Sequence, residues 1–446
     1  MTEIIEKLLG KNSYRILFRG SSILAATTMA SYILGIFRDR FLAHSFGATQ
    51  LLGAYEAAFI VPDLILNIFV ASALSAAFIP IFNSLENDRK TASDFINSVL
   101  NGSLLVVSIV GLIVFAFIPQ LSHVIVPGFD FHTRQIFINL VRILLLSPLI
   151  FAISNTLGNI ILSKERFFWY GIAAALYNLG SIIGIIFLTP RFGIYGVALG
   201  TLGGALLHLL SRLLGLKKQD LKYNLKITLN QYYRKFINLM APKMIQQPLE
   251  ELTFLGFTII ASMLTSGAIV AMNFARNFEV MPVNTIGVTL SLAIFPTLSR
   301  LIAQKNIREY KDHLMLGVRS ILMITVPVAI LIFILRRFII SFIYAGGAFD
   351  ARAVELTASM LGIFCLSIPS ESLVQILARG FYALKDSLTP VIVSVASLVV
   401  AIGSGFIFSK SYGVQGLALG FFLGSILKTV ILSGLLFNKV RSHQNS

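Results

Sequence analysis

Charged side chains inside otherwise apolar stretches are the residues of this sequence with chemistry to offer. Arg38 and Asp39 stand side by side in "LGIFRDRFLAHSFG", and Glu56 and Asp63 lie seven residues apart. Lys243 and Glu250 are also seven apart, with Glu251 following, and Arg276, Asn277 and Glu279 cluster in "NFARNFEV". Seven residues make about two helical turns, so each such pair shares a helix face, and residues three apart can pair. Charges are costly in hydrocarbon, so each one marks a binding site or an ion pathway. The chemistry is recognition. An arginine fork suits an oxyanion with several oxygens, and a carboxylate suits a proton or a sodium ion. The plainer reading is buried ion pairs between helices and, for Arg38, an interfacial anchor whose head snorkels to water. Arg142, Glu371 and Arg379 stand singly in apolar runs. No HExxH or CxxC spacing occurs, the 6 histidines are scattered, and the lone Cys365 reads as a packing residue. Neither a metal centre nor a catalytic residue is expected.

The elements that must position these charges are membrane helices. Hydrophobic residues make up 56% of the 446 and charged residues only 13%, which excludes an ordinary soluble domain. Apolar windows of about 20 residues recur, each long enough to span a bilayer, and the short alternating segments of a β-barrel are absent. About twelve spans are expected, near 16–37, 54–83, 95–119, 137–163, 167–189, 193–214, 236–264, 268–298, 314–335, 353–383, 388–409 and 412–437. With the N-terminus inside, inner segments hold about 22 Lys and Arg and outer segments about eight, so both termini are expected in the cytoplasm. That asymmetry also accounts for the net charge of +16 without a nucleic-acid partner. The N-terminus "MTEIIEKLLGKNSYR" does not read as a cleavable signal peptide.

The sequence also repeats. "FGIYGVALGTLGG" (192–204) matches "YGVQGLALGFFLG" (412–424) at an offset of 220, with Gly193, Gly196, Gly200 and Gly204 recurring as Gly413, Gly416, Gly420 and Gly424. "PGFD" at 127–130 echoes "GAFD" at 347–350, and Lys164-Glu165 echoes Lys385-Asp386. The glycine series puts small residues on one helix face, which lets helices pack closely in lipid. The expected architecture is an all-α polytopic membrane protein. Two six-helix bundles, at 1–215 and 236–446, are related by a pseudo-two-fold axis along the membrane normal and joined by a basic linker at 216–235. Such parallel repeats belong to transporters, with the substrate site between the bundles. Lys243 and Glu250 flank Pro248, and a broken helix beside a transporter site is common.

Three stretches resemble one family. "SYILGIFRDRFLAHSFGATQLLGAYEAAFIVPDLILNIFVASALSAAFIPIF", "VAMNFARNFEVMPVNTIGVTLSLAIFPTLSR" and "FIYAGGAFDARAVELTASMLGIFCLSIPSESLVQILARGFYALKDSLTPVIV" are similar to MurJ (MviN) sequences, the lipid II flippases of the MOP exporter superfamily. The resemblance covers essentially the whole chain. It implies a MOP/MATE-like transporter fold in the bacterial cytoplasmic membrane. It implies movement of an undecaprenyl-pyrophosphate-linked peptidoglycan precursor by alternating access, with membrane lipids and cell-wall synthesis proteins as partners. No cofactor is implied beyond coupling to membrane potential, H+ or Na+. The family usually has fourteen spans, against the twelve counted here.

By the same resemblance Arg38 belongs to a cationic cavity, and Asp39 fixes its rotamer or lowers the local positive potential. Arg276, Asn277, Lys243 and Glu250 join it as substrate-binding candidates, and Glu56, Asp63 and Glu251 are candidates for ion coupling. Several family cavity charges are replaced. Tyr32, Leu66, Ala71, Gly53 and Phe257 occupy positions that carry charge in the family, and Asn277 stands where its eighth span carries arginine. These replacements keep open another MOP-type exporter of lipid-linked oligosaccharides or small molecules. A membrane enzyme acting on polyprenyl phosphates would want clustered acidic or His residues on a sizeable loop, and the loops here are short and basic. A silent scaffold would not need charges in its spans.

Overall fold

The computed structural model describes residues 11–85, 88–218, 220–246 and 248–444; the side chains of 11–19, 21, 70–76, 242–243, 245–246 and 443–444 are outside the description. The first half comprises α1 (Lys11–Phe46), α2 (Gln50–Ala58), α3 (Ile60–Leu66), α4 (Ser72–Ser84), α5 (Arg89–Ile125), α6 (Phe131–Leu144), α7 (Leu146–Ser163), α8 (Phe167–Ile183), α9 (Thr189–Phe192) and α10 (Ile194–Gly215). The second comprises α11 (Gln231–Gln246), α12 (Pro248–Ser262), α13 (Ala268–Pro282), α14 (Thr289–Ala303), α15 (Ile307–Tyr344), α16 (Ala351–Ala383), α17 (Leu388–Tyr412) and α18 (Gln415–Gln444). π-helical turns join α3 to α4 (Asn67–Ala71), α8 to α9 (Gly184–Leu188) and α13 to α14 (Val283–Val288). Among the described residues there is no β-strand, only an isolated bridge between Gly346 and Phe349.

Ten helical stretches among the described residues are long and apolar enough to cross a membrane. They correspond to all the expected spans except the first and seventh. Those two coincide with α1 and with α11–α12, the latter entered anew at Pro248. Proline suits the first turn of a helix, where its missing N–H bond is not needed. By packing, the chain forms two compact units. One takes in the described parts of Met1–Leu42, Ala57–His123 and Phe131–Glu251; the other takes in Ala43–Glu56, Val124–Asp130 and the described part of Leu252–Ser446.

Each unit contains a close helix pair built on the glycine series. In the first unit a methyl group on Gly200 would overlap the Gly184 backbone, and one on Gly204 would overlap Tyr177. In the second, Gly420 meets Gly405 and Ala401, and Gly416 meets Phe408. Association in lipid depends on such packing, because water expulsion does not drive it. Both series begin at a glycine that only glycine suits: Gly193 has φ 56° and ψ −138°, and Gly413 has φ 59° and ψ −134°. A second tie joins the fourth and sixth spans of each half, α7 to α10 and α16 to α18. Ser154 Oγ lies 2.6 Å from His208 Nδ1, and Ser370 Oγ lies 2.6 Å from Ser425 Oγ.

The turn after the fourth span follows the same logic with its charges exchanged. Its left-handed residue is Glu165 (φ 57°) in one half and Lys385 (φ 60°) in the other. Structurally, then, Arg166 stands where Asp386 stands, one place on from the alignment expected from sequence. Arg166 binds Asp220 at 2.6 Å, and Asp386 binds Lys439 at 2.5 Å. The first turn is thereby fastened to the linker after α10, and the second to the last turns of α18. Asp386 also accepts from Leu388 N, Thr389 N and Thr389 Oγ1, capping α17. This accounts for the "KDSLTP" wording.

The linker is held as well. Asn97 Nδ2 donates to Lys222 O (2.8 Å) and Asn101 Nδ2 to Asn224 O (2.8 Å), while Thr228 N donates to Ser98 Oγ (2.8 Å). Residues 97, 98 and 101 share one face of α5, so this non-helical strand is bonded along a helix.

Two outcomes follow from this packing. Gly200→Val should lower thermal stability in detergent by about 1–3 kcal/mol or more through overpacking. Gly203→Val, whose Cβ would meet nothing within 4 Å, should leave the melting temperature close to wild type; equal effects would disprove the close pair. For Asp386, burial raises the carboxyl pKa, but the bonds from Lys439 and Thr389 outweigh it and hold it down to about 2. A depressed folded pKa gives stability that is present above the ordinary value of 3.8 and lost as pH falls toward 2. Asp386→Asn should therefore flatten the stability–pH curve across that window, measured by thermal shift between pH 6 and 2.

Candidate functional site

In the first unit the charged group is organised around Arg38, near the end of α1. Its Nε and Nη2 both donate to Asp39 Oδ1, at 2.9 and 2.7 Å. Its Nη1 donates to Asn178 Oδ1 on α8 at 3.2 Å. Asn178 in turn donates to Ser31 O at 3.0 Å and Ser31 Oγ at 3.3 Å, so its own orientation is fixed from α1. The Arg38 side chain is 28% exposed and that of Asp39 only 7%. The carboxylate is buried, and the guanidinium that it pairs with is partly exposed. Tyr177 lies within electrostatic reach of both Arg38 and Asp63, and Asp63 is half-buried on α3. At the first π turn Asn67 Nδ2 donates to Glu251 Oε1 at 3.4 Å. Glu250 is exposed and Glu251 half-buried; both lie in the first turn of α12, where the helix dipole favours negative charge.

In the second unit Glu56, near the end of α2, accepts from Asn273 Nδ2 on α13 at 3.1 Å. One turn on, the Arg276 guanidinium lies over the Phe254 ring, 3.5 Å from its centroid. Such stacking anchors a desolvated cation while leaving its N–H edge directional. Glu279, a turn further, is 2% exposed, and Asn277 is exposed. Phe257 is fully buried against Phe254 and Gly405.

The expected residues thus fall into two groups. Arg38 and Asp39 are in direct contact, with Asp63 nearby. Glu56 and Asp63, expected on one helix face, belong to different packing units, and α2 ends and α3 begins between them. Lys243 lies on α11, and its side chain is outside the described residues. Arg142 lies over the Phe115 ring, and Arg379 donates to Gln375 O. Sequence reasoning missed the asparagines that hold the charges: Asn178, Asn67 and Asn273. Each interrupts an apolar run, and that interruption was the available signal.

A helical membrane protein with these paired helices has the fold of the MOP-type transporters. An inward-facing multidrug resistance MATE family transporter of the MOP superfamily superposes with a TM-score of 0.74, covering 95% of this chain and 99% of its own, at 14% identity. Within that class the chain belongs to the lipid II flippase MurJ family, whose model matches residues 42–445. A lipid II flippase MurJ solved in an inward closed conformation matches with a TM-score of 0.79 at 25% identity, covering 92% of this chain and 86% of that one. The lipid II flippase MurJ of Burkholderia cenocepacia is 27% identical over 433 residues, 93% of this chain and 83% of the relative. A probable lipid II flippase MurJ from Aquifex aeolicus is 27% identical over 435 residues.

Placing a carboxylate at Phe257 tests the ring packing there. Phe257→Asp should place an unpaired charge among rings and cost several kcal/mol, of the order of 3–5. Inserted protein should fall sharply, while Phe257→Leu should be recovered in near-normal yield. Full recovery of the Asp variant would show that the site still accommodates charge.

Proposed function

We propose that this protein translocates lipid II, an undecaprenyl-pyrophosphate-linked peptidoglycan precursor, across the cytoplasmic membrane by alternating access. The observation that carries the reading is the family match across 42–445, joined to an arginine held in a fixed plane at the end of α1. The cargo demands such a group. Hydrocarbon will not admit a pyrophosphate, and a guanidinium pairs with its oxygens in two places. In this reading Arg38 contacts the pyrophosphate, with Asp39 and Asn178 as positioning residues. Arg276, Asn277, Lys243 and Glu250 are the further substrate-binding candidates, and Glu56, Asp63 and Glu251 couple transport to a proton or sodium ion or respond to membrane potential. Twelve spans with both termini cytoplasmic fit the basic-loop asymmetry. Wall-synthesis enzymes that supply or consume the precursor are the natural partners.

The test is replacement. The native flippase of a bacterium is depleted, this chain is expressed, and lipid II exposed at the outer surface is measured. Rescue is expected. Failure by protein that is well expressed and correctly inserted, in a host whose precursor matches, would overturn the reading. Arg38→Ala should reduce exposure about tenfold or more, the loss of one charge-assisted contact of about 1.4 kcal/mol or greater, and Arg38→Lys should restore only part. Unchanged transport in Arg38→Ala would make Arg38 an anchor.

A further inference from the structure

A cavity of about 800 Å³ opens in the first unit beside the start of α5. Arg89, Lys90, Lys164, Arg166 and Lys222 line it, against Asp94 and Asp220. Asp220 does little to offset the other cations. Its Oδ2 accepts from Arg166 Nη1 and from Lys217 N, both at 2.6 Å, and its Oδ1 accepts from Arg166 Nη2 at 3.3 Å. Among the described lining residues Arg89, Lys90, Lys164 and Lys222 stand with one further carboxylate, Asp94. They come from three separate pieces of chain: the first turn of α5, the turn between α7 and α8, and the linker. Like charges gathered from distant segments repel, and an anion among them relieves the repulsion.

The walls are fixed. Lys222 and Asn224 are bonded through their carbonyls to Asn97 and Asn101, and Tyr223 Oη donates to Asn101 Oδ1 at 3.2 Å. The Lys164 ammonium stands 5.6 Å over the Phe82 ring, and buried Phe82, Leu85 and Ile96 form an apolar floor. Lysine and arginine on an apolar floor at the basic end of membrane helices is the chemistry that recognises phosphate headgroups. The volume is too large for orthophosphate alone and suits a phosphate carrying a polar substituent.

We propose that this cavity binds a phosphate-bearing anion of headgroup size, supplied either by an anionic phospholipid or by a soluble polyphosphate. The proposal is independent of the transport reading, because binding is measured without flipping. The full chain is placed in phosphatidylcholine nanodiscs and titrated with dihexanoyl phosphatidylglycerol, inorganic tripolyphosphate and, as the zwitterionic control, dihexanoyl phosphatidylcholine. Saturable binding of at least one anionic probe is expected, and none of the control. Response to the lipid alone assigns the source to the membrane, response to polyphosphate alone to the cytosol, and response to both to the shared phosphoryl chemistry. Lys164→Gln with Lys222→Gln should weaken binding about tenfold or more, a loss of about 1.4 kcal/mol. Lys218→Gln with Lys226→Gln removes the same charge from exposed linker positions outside the cavity, and should weaken binding less than about twofold, as expected of screened surface charge. No saturable binding, or equal weakening by the two pairs, overturns the proposal. If the cavity pair fails to insert, Lys222→Gln alone should still weaken binding more than Lys226→Gln alone; equality of those two also overturns it.

Discussion

Inside hydrocarbon a backbone N–H or C=O has no water to bond, so each must find its partner within the protein. That requirement sets the all-helical architecture and decides where the helices can depart from regularity. The π turns show how a departure is tolerated. At the second, Thr189 Oγ1 reaches Gly184 O at 3.5 Å. At the third, Thr289 Oγ1 donates to Asn284 O at 3.3 Å, and Ser291 Oγ to Gly287 O at 2.5 Å. In these two turns Gly184 O, Asn284 O and Gly287 O each meet a hydroxyl from the next turn. The first and third π turns occupy the second span of their respective halves, so this departure belongs to the repeated plan.

The repeat conserves arrangement more strictly than chemistry. Glycine against glycine recurs with the same residue type, because only the absence of a side chain lets two backbones approach. The polar ties are freer. Ser154 with His208 becomes Ser370 with Ser425, and Arg166 with Asp220 becomes Asp386 with Lys439. An ion pair keeps its function when its ends are exchanged, provided both ends change together. Sequence comparison of single positions is blind to such an exchange, which is why Lys164-Glu165 and Lys385-Asp386 aligned one residue out of structural register.

What could be read from sequence followed what periodicity and composition encode. Apolar windows located the spans, and the glycine series predicted close packing that the backbone overlaps bear out. The charged candidates were visible because charge is rare in such stretches. Their partners were not. Arg38 and Asn178 are 140 residues apart, and Glu56 and Asn273 are 217 apart. An asparagine in an apolar helix carries no label naming its partner. The fastening of the linker was hidden for a related reason: the residues that hold it are Asn97, Ser98 and Asn101, more than 120 positions earlier.

The replaced family charges bear on how much the remaining arginine must do. A cavity with several cations can bind a pyrophosphate loosely and still hold it, since field strength substitutes for geometry. By the resemblance, Asn277 stands at a position of cavity arginine, and in the proposed reading such a loss would lower field strength and leave geometry to compensate. The contacts around Arg38 are of that kind. Asp39 takes Nε and Nη2, Asn178 takes Nη1, and Ser31 fixes Asn178, so the plane of the guanidinium is set before any ligand arrives. Orientation fixed in advance removes the entropy that a flexible side chain loses on binding. The same buried Asp39 reduces the net charge that an anion meets. In the proposed reading, with Arg38 as the pyrophosphate contact, such a site would exchange long-range attraction for alignment, and discrimination among anions would rest on the spacing of their oxygens more than on their total charge.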